Sequence, residues 1–309
     1  MEKKHFTYPS RDGITDIHAI CWIPDGEIRA ILQISHGMVE FIDRYDEFAG
    51  FLADRGILVA GNDHLGHGKS VRSEDFYGFF AEKEGNKTVL GDIHRLREIL
   101  EKEYPGTPCF LLGHSMGSFL VRQYLCLHGE GLAGAVVVGT GYQKRLAACA
   151  GLLITRVLAV FKGWNYRSGF VDGLAFGGYN RKFGSVDGKE WLSRNEENVR
   201  RYKGEPLCNF RFTLNGYYNL FYSLYTLTFP QNLQKMPKDL PVFFVAGEDD
   251  PVGKFGKGVR TAYQQFLNAG MKRVTCKLYP DDRHEILNEL DRDVVYEDIF
   301  HWMEEVLRG

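Results

Sequence analysis

The chain has 309 residues, of which 44% are hydrophobic and 25% charged, ordinary globular usage that excludes a disordered or fibrous protein. With 38 basic and 40 acidic side chains the net charge is -2, so there is no bulk attraction to nucleic acid or to anionic lipid. The length suits one large domain carrying an insertion.

Met1-Glu2-Lys3-Lys4-His5 is not followed by an apolar stretch, so no signal peptide is expected and a cytoplasmic location is. Residues 15–24 follow the turn Arg11-Asp12-Gly13 and alternate apolar with polar, the pattern of a half-buried strand. After that the alternation ends. Residues 57–60, 109–112 and 135–138 are short apolar runs, and residues 30–35 are a fourth, apolar but for Gln33 and Ser35. Between them, residues 45–55, 89–103 and 118–128 carry apolar side chains at helical spacing. Apolar strands separated by helices predict an α/β fold with a mostly parallel sheet covered on both faces.

From residue 141 to 236 this rhythm stops. Residues 146–160 form an apolar helix candidate and residues 191–202 a polar one, while residues 216–229 are crowded with Tyr217, Tyr218, Phe221, Tyr222 and Tyr225. Strands at 242–246 and 274–279 and helices at 259–269 and 294–307 then resume the pattern. The expected organisation is a core in two pieces, 1–140 and 237–309, interrupted by a mostly helical insertion. The longest apolar stretch, 147–161, is too short to span a bilayer and contains Arg156. Six scattered cysteines lack CxxC or zinc spacing and are expected to be buried, reduced thiols.

The chemistry starts at Gly113-His114-Ser115-Met116-Gly117. This G-x-S-x-G pattern ends an apolar strand and opens a helix, the setting that lifts a serine above a sheet on a sharp turn. A serine hydroxyl is a weak nucleophile and needs a base, itself oriented by a third group. In such folds the order is serine, acid, histidine. His284 follows the last strand, whereas His301 lies within the final helix, so His284 is the expected base. The acid should follow the strand at 242–246, where Glu248, Asp249 and Asp250 stand together. Asp250 is favoured because it lies furthest past the strand with Pro251 behind it; Asp281 and Asp282 are too near His284 along the chain. The tetrahedral oxyanion needs two donors, expected to be the backbone N–H groups of Met116 and of Met38 in His36-Gly37-Met38.

Other motifs fail in context. Gly68-Lys69-Ser70 lacks the first glycine of a phosphate loop, since that place is Asp63. Gly129-Glu130-Gly131-Leu132-Ala133-Gly134 spells a dinucleotide fingerprint, but it follows a helix and precedes a strand. Asp63, His64 and His67 crowd one tight loop with no distant fourth ligand, which suits a hydrogen-bonded loop better than a metal site.

Taken together, these residues resemble the α/β-hydrolases of the monoacylglycerol lipase and lysophospholipase branch, a group also described as serine aminopeptidase-like. The resemblance rests on Ser35-His36-Gly37-Met38-Val39-Glu40, Arg44-Tyr45, Asp63-His64-Leu65-Gly66-His67-Gly68-Lys69-Ser70, Gly113-His114-Ser115-Met116-Gly117, Asp250-Pro251-Val252 and His284-Glu285-Ile286-Leu287-Asn288-Glu289. It implies an α/β-hydrolase fold, a catalytic triad of Ser115, Asp250 and His284, oxyanion donors at Met38 and Met116, and a helical cap after the sixth strand. It departs at Phe41, where many members carry histidine. The implied activity is hydrolysis of carboxylic esters of the monoacylglycerol or lysophospholipid type, with no metal or organic cofactor. A small-ester esterase and an aminopeptidase-like hydrolase are the alternatives, and a non-catalytic binding module ranks below both. His36, Gly37, Phe41, Leu153, Phe221 and Tyr225 are expected around the substrate, which is an ester or lipid and not a nucleic acid, and the cap is expected to touch a membrane surface transiently.

Overall fold

The apolar runs become the centre of one sheet. In the computed structural model, which describes residues 1–184 and 188–309, eight strands are β1 (Glu2–Pro9), β2 (Asp16–Ile23), β3 (Ala30–Ser35), β4 (Ile57–Asn62), β5 (Cys109–His114), β6 (Gly134–Val138), β7 (Val242–Gly247) and β8 (Val274–Tyr279). Their order is β1-β2-β4-β3-β5-β6-β7-β8. Only β2 runs against its neighbours; β4 through β8 are parallel. Every residue of β3, β4, β5, β6 and β7 is buried, as a sheet covered on both faces requires.

Alternate strand residues feed two cores. Ile34, Val59 and Leu112 meet α1 (Asp46–Ala53) and α10 (Arg292–Arg308) through Phe48, Tyr296 and Ile299. Ile31, Leu111 and Phe244 meet α2 (Gly85–Glu103), α3 (Met116–His128) and α9 (Lys257–Asn268) through Ile93, Tyr124 and Phe266. The edge strand β1 carries no apolar signature because its residues are mostly exposed; pairing with β2 over its whole length holds it in place.

Between β6 and β7 the described residues form helices and turns without a strand: α4 (Arg145–Lys162), α5 (Gly169–Phe176), α6 (Glu196–Gly204), α7 (Leu214–Thr226) and α8 (Pro230–Leu233). The polar helix expected over 191–202 is split. A short 3-10 turn covers Glu190–Leu192, Ser193 is extended, and α6 begins only after Asn195, whose side chain accepts the Asn198 N–H as a helix cap. Not all the thiols are buried: Cys149 is exposed on α4, and Cys126 and Cys276 are partly so. Among the described residues no helix is long and apolar enough to cross a membrane.

The chain leaves β3 for β4 on one side, then places β5 on the other side of β3. The loops after β3 and β5 therefore diverge, opening a crevice at the carboxyl edge of the sheet. The loops after the parallel strands β7 and β8 reach the same edge.

Candidate active site

Ser115 occupies the one-residue bend between β5 and α3, with φ +52° and ψ -117°. Such a conformation costs a non-glycine residue ~1–3 kcal/mol and persists only where its surroundings enforce it. The flanking glycines do so by close approach. A Cβ on Gly117 would lie 1.9 Å from the Ser35 carbonyl oxygen, and one on Gly113 would lie 2.4 Å from that of Gly117. The Ser115 N–H donates to the Val138 carbonyl at 3.0 Å, tying the bend to β6.

His284 arrives on the loop after β8 and is almost fully buried. Its Nδ1 is 3.0 Å from Oδ2 of the fully buried Asp250, which follows β7. An ionised carboxylate only accepts, so Nδ1 carries the proton and Nε2 is left with a lone pair. Asp250 Oδ1 accepts the Val252 N–H at 2.8 Å, fixing the carboxylate plane. The rival acids point elsewhere. Asp249 pairs with Lys182, Asp282 with Arg194, and Glu248 and Asp281 are exposed. Ser115 and His284 line one cavity. Among the described residues no hydrogen bond joins their side chains, and contacts of this kind often shorten only when substrate binds.

On the β3 side, Gly37 lies so close that a Cβ there would be 3.0 Å from Ser115 Cβ. Its own N–H is taken by Glu40 Oε1. Among the described residues neither the Met38 N–H nor the Met116 N–H has a protein acceptor, and both residues line the cavity with Ser115. Two free N–H groups beside a serine on a strained bend form an arrangement able to hold an oxyanion.

Beneath these residues is a buried ionic cluster whose members stand in the quoted motifs but whose meeting no motif spells out. Glu40 Oε1 also accepts from Tyr45 Oη at 3.1 Å and from His114 Nδ1 at 2.9 Å. Arg44 bonds Glu40 Oε2 at 2.9 Å and both oxygens of Glu285 at 2.9 and 2.8 Å, and Asn198 of α6 donates to Glu285 Oε2 at 2.7 Å. Burial opposes charge on His114, but the Glu40 carboxylate outweighs it and raises the imidazole pKa. Both of its nitrogens face acceptors, Glu40 and, at 3.3 Å, the His284 carbonyl oxygen. Burial likewise works against Glu40 and Glu285, yet His114 and Arg44 respectively hold their pKa values below the ordinary carboxylate range. The cluster joins the loop after β3, the end of β5, the His284 loop and the insertion.

The cavity has a volume of about 630 Å³ and lies between the sheet edge and α4, α5 and α7, a size suited to enclosing a small organic molecule. Of the residues expected around the substrate, Gly37 and Phe221 line it. The others do not. Leu153 is 64% exposed on the outer face of α4, where Ile154 takes the inner one. Tyr225 packs edge-on against Phe229, and Phe41 packs with Trp191 on Leu192, Tyr202 and Cys208. His36 is buried below the floor, accepting the His64 N–H at Nε2 (2.9 Å) and donating from Nδ1 to the Gly37 carbonyl (2.7 Å). The small residues Ala147, Ala148 and Gly151 form the wall that sequence reading missed; their spacing on one face of α4 was the available signal. Asp63, His64 and His67 are each hydrogen-bonded separately, Asp63 to His18 and to the Ile42 and Lys69 N–H groups, His64 to Ser35 and His67 to the Leu65 carbonyl.

The profile of a family described as "Serine aminopeptidase, S33" matches residues 26–291. A monoglyceride lipase of Mus musculus is 31% identical over 199 residues, covering 60% of this chain and 54% of that protein, so the match spans about half of that mammalian relative. A monoacylglycerol lipase of Mycolicibacterium smegmatis is 25% identical over 289 residues, 91% of this chain and 90% of that one. Among solved structures, a thermostable carboxyl esterase from Bacillus coagulans in complex with glycerol superposes with a TM-score of 0.92 at 29% identity, covering 99% of both chains.

Proposed function

The chain belongs to the serine aminopeptidase S33 family of α/β-hydrolases, and from that premise we propose that it hydrolyses carboxylic esters of monoacyl lipids, of the monoacylglycerol or lysophospholipid type. The observation that carries this reading is the meeting, in one largely apolar cavity, of Ser115, the Asp250-held imidazole of His284 and the free N–H groups of Met38 and Met116. His284 Nε2 takes the proton of Ser115 Oγ as that oxygen attacks the ester carbonyl. The two N–H groups hold the oxyanion, and His284 returns the proton to the leaving alcohol. Water activated by the same imidazole then releases the acid, while Asp250 keeps the proton of His284 on Nδ1.

The inner faces of α4 and α7 support an acyl slot. Ile154, Leu220, Phe221 and Leu224 surround it, and each methylene buried there contributes up to ~0.8 kcal/mol. With p-nitrophenyl esters from acetate to palmitate, kcat/KM should rise several-fold per pair of methylenes to an optimum at octanoate or beyond. A steady fall from acetate upward would leave the small-ester reading instead. The aminopeptidase reading needs an acidic anchor for a free amine; Glu190, Glu196, Glu197 and Glu205 do not line the cavity, and the carboxylates that do, Glu40, Asp172 and Glu285, are already hydrogen-bonded to Arg44 or Tyr217.

The proposal extends to transient contact with a lipid surface, supported by the outer face of α4. Leu146, Leu153, Val160 and Phe161 are there 64–85% exposed, with Phe170 and Leu174 of α5 nearby in sequence and also exposed. A patch of this kind without a partner marks an interaction surface. Replacing Leu153 and Phe161 together with glutamate should lower co-sedimentation with neutral phosphatidylcholine vesicles at least five-fold, with a much smaller effect on hydrolysis of a soluble butyrate ester.

A further inference from the structure

The cavity has two chemically different ends. One is the apolar slot between α4 and α7. At the other, Trp191 lies with its ring centroid 5.1 Å from that of His284, and its carbonyl accepts the His284 N–H at 3.4 Å. In ester hydrolysis the leaving alcohol must sit beside the imidazole that protonates it, so the Trp191 end is the alcohol end. Lys189, two residues earlier, also lines the cavity. Its Nζ is 5.4 Å from the ring centroid of Tyr202, whose hydroxyl donates to the Val39 carbonyl at 3.0 Å, next to the Met38 N–H.

Lys189 is the unbalanced charge of this wall. Among the described residues its ammonium has no hydrogen-bond or ion-pair partner. The carboxylates around the cavity are already engaged: Glu40 and Glu285 by Arg44 and His114, Asp250 by His284, and Asp172 by the Tyr217 hydroxyl with Arg211 at 3.8 Å. Burial lowers the Lys189 pKa, and the fields of Asp172 and Glu285 offset this only in part. The Tyr202 ring face attracts a cation but does not neutralise it. A partly buried ammonium without a counter-ion is costly, and an anion arriving on the substrate removes that cost through a charge-assisted hydrogen bond.

We infer that Lys189 is an anion subsite at the alcohol end, so that the preferred ester is a monoacyl lipid with a phosphate-bearing head group rather than a neutral glyceride. This rests on the ester-hydrolase reading for its chemistry but not for its binding, and the two are tested separately. In the first arm, kcat/KM is measured for 1-lauroylglycerol and for 1-lauroylglycerol 3-phosphate, with Ser115→Ala as the background. The intact protein should favour the phosphate ester. Lys189→Gln should lower the ratio of anionic to neutral kcat/KM by about 10- to 100-fold, mostly through KM, and Lys189→Arg should keep most of it. In the second arm, calorimetry on Ser115→Ala and on Ser115→Ala with Lys189→Gln should show the same fold-change in affinity for the phosphate lipid. Glycerol 3-phosphate and inorganic phosphate, titrated as competitors, distinguish recognition of a head group from recognition of any phosphate. Loss of all hydrolysis with the binding difference intact would sink the hydrolase reading and keep the subsite. Equal effects of Lys189→Gln on both lipids, or stronger binding of the neutral one by the unaltered cavity, would overturn the subsite.

Discussion

Ser115→Ala should lower kcat for ester hydrolysis by about 10³- to 10⁶-fold and abolish covalent labelling by a fluorophosphonate probe. The size follows from the division of labour at the site. Without Oγ no acyl-enzyme forms, and the imidazole of His284 has no hydroxyl to deprotonate. What remains is the background supplied by the Met38 and Met116 N–H groups acting on direct attack by water. The fold should scarcely notice. Among the described residues Ser115 Oγ makes no protein hydrogen bond, and the strained φ of +52° is imposed by Gly113, Gly117 and the Val138 carbonyl rather than by the hydroxyl. Alanine keeps the Cβ and therefore the same backbone restraint. Melting temperatures of the two proteins should agree within about 2 °C, and a variant that still labels and still turns over near the original rate would exclude Ser115 as the nucleophile.

The sheet was legible because burial on both faces leaves a simple mark, runs nearly free of polar residues: β6 and β7 have none, and β3 and β5 only Gln33, Ser35 and His114, all buried. β1 left no such mark because its order comes from pairing with β2 rather than from its own apolar content. The meeting of Ser115, Asp250 and His284 follows from local rules: each stands just past a parallel strand, and parallel strands end at one edge. The cavity wall was far less legible. Leu153 and Ile154 are equally apolar, and only the packing of α4 against α7 decides which faces inward; Gly151, where a Cβ would lie 2.7 Å from the Phe221 ring, fixes that rotation. Bulk and aromaticity pointed to Leu153 and Tyr225, whereas the space is made by residues too small to attract notice.

The ionic cluster was hidden for another reason. Glu40, Arg44, His114 and Glu285 are far apart in the chain except for the first two, and a charged residue in sequence reads as solvent-facing until its burial is known. That burial makes Arg44→Met the more destructive change for the fold. Arg44 is the cation that holds both Glu40 and Glu285, and its loss leaves Glu285 buried with Asn198 as its remaining side-chain donor. Removing one partner of a buried pair costs about 3–5 kcal/mol, and at ~2–4 °C per kcal/mol a drop of about 6–20 °C in the melting temperature is expected at pH 6. Glu40 and Glu285 have lowered pKa values, so their contribution is complete above the unfolded carboxyl pKa of about 4.3 and fades as pH falls through the folded values. His114 has a raised pKa, so its share is complete below the ordinary imidazole value of 6.5 and fades as pH rises through the folded one. His114 keeps its Glu40 contact in Arg44→Met, so the gap between the two proteins should be widest above about pH 4.5 and narrow towards pH 3, where the stranded carboxyl takes up a proton. Adding Glu285→Gln to Arg44→Met removes that stranded charge and should recover a third or more of the lost melting temperature. A deficit that is flat from pH 3 to pH 8, or a double variant less stable than Arg44→Met alone, would show that Arg44 stabilises by packing on the Tyr202 ring and not by balancing the two carboxylates.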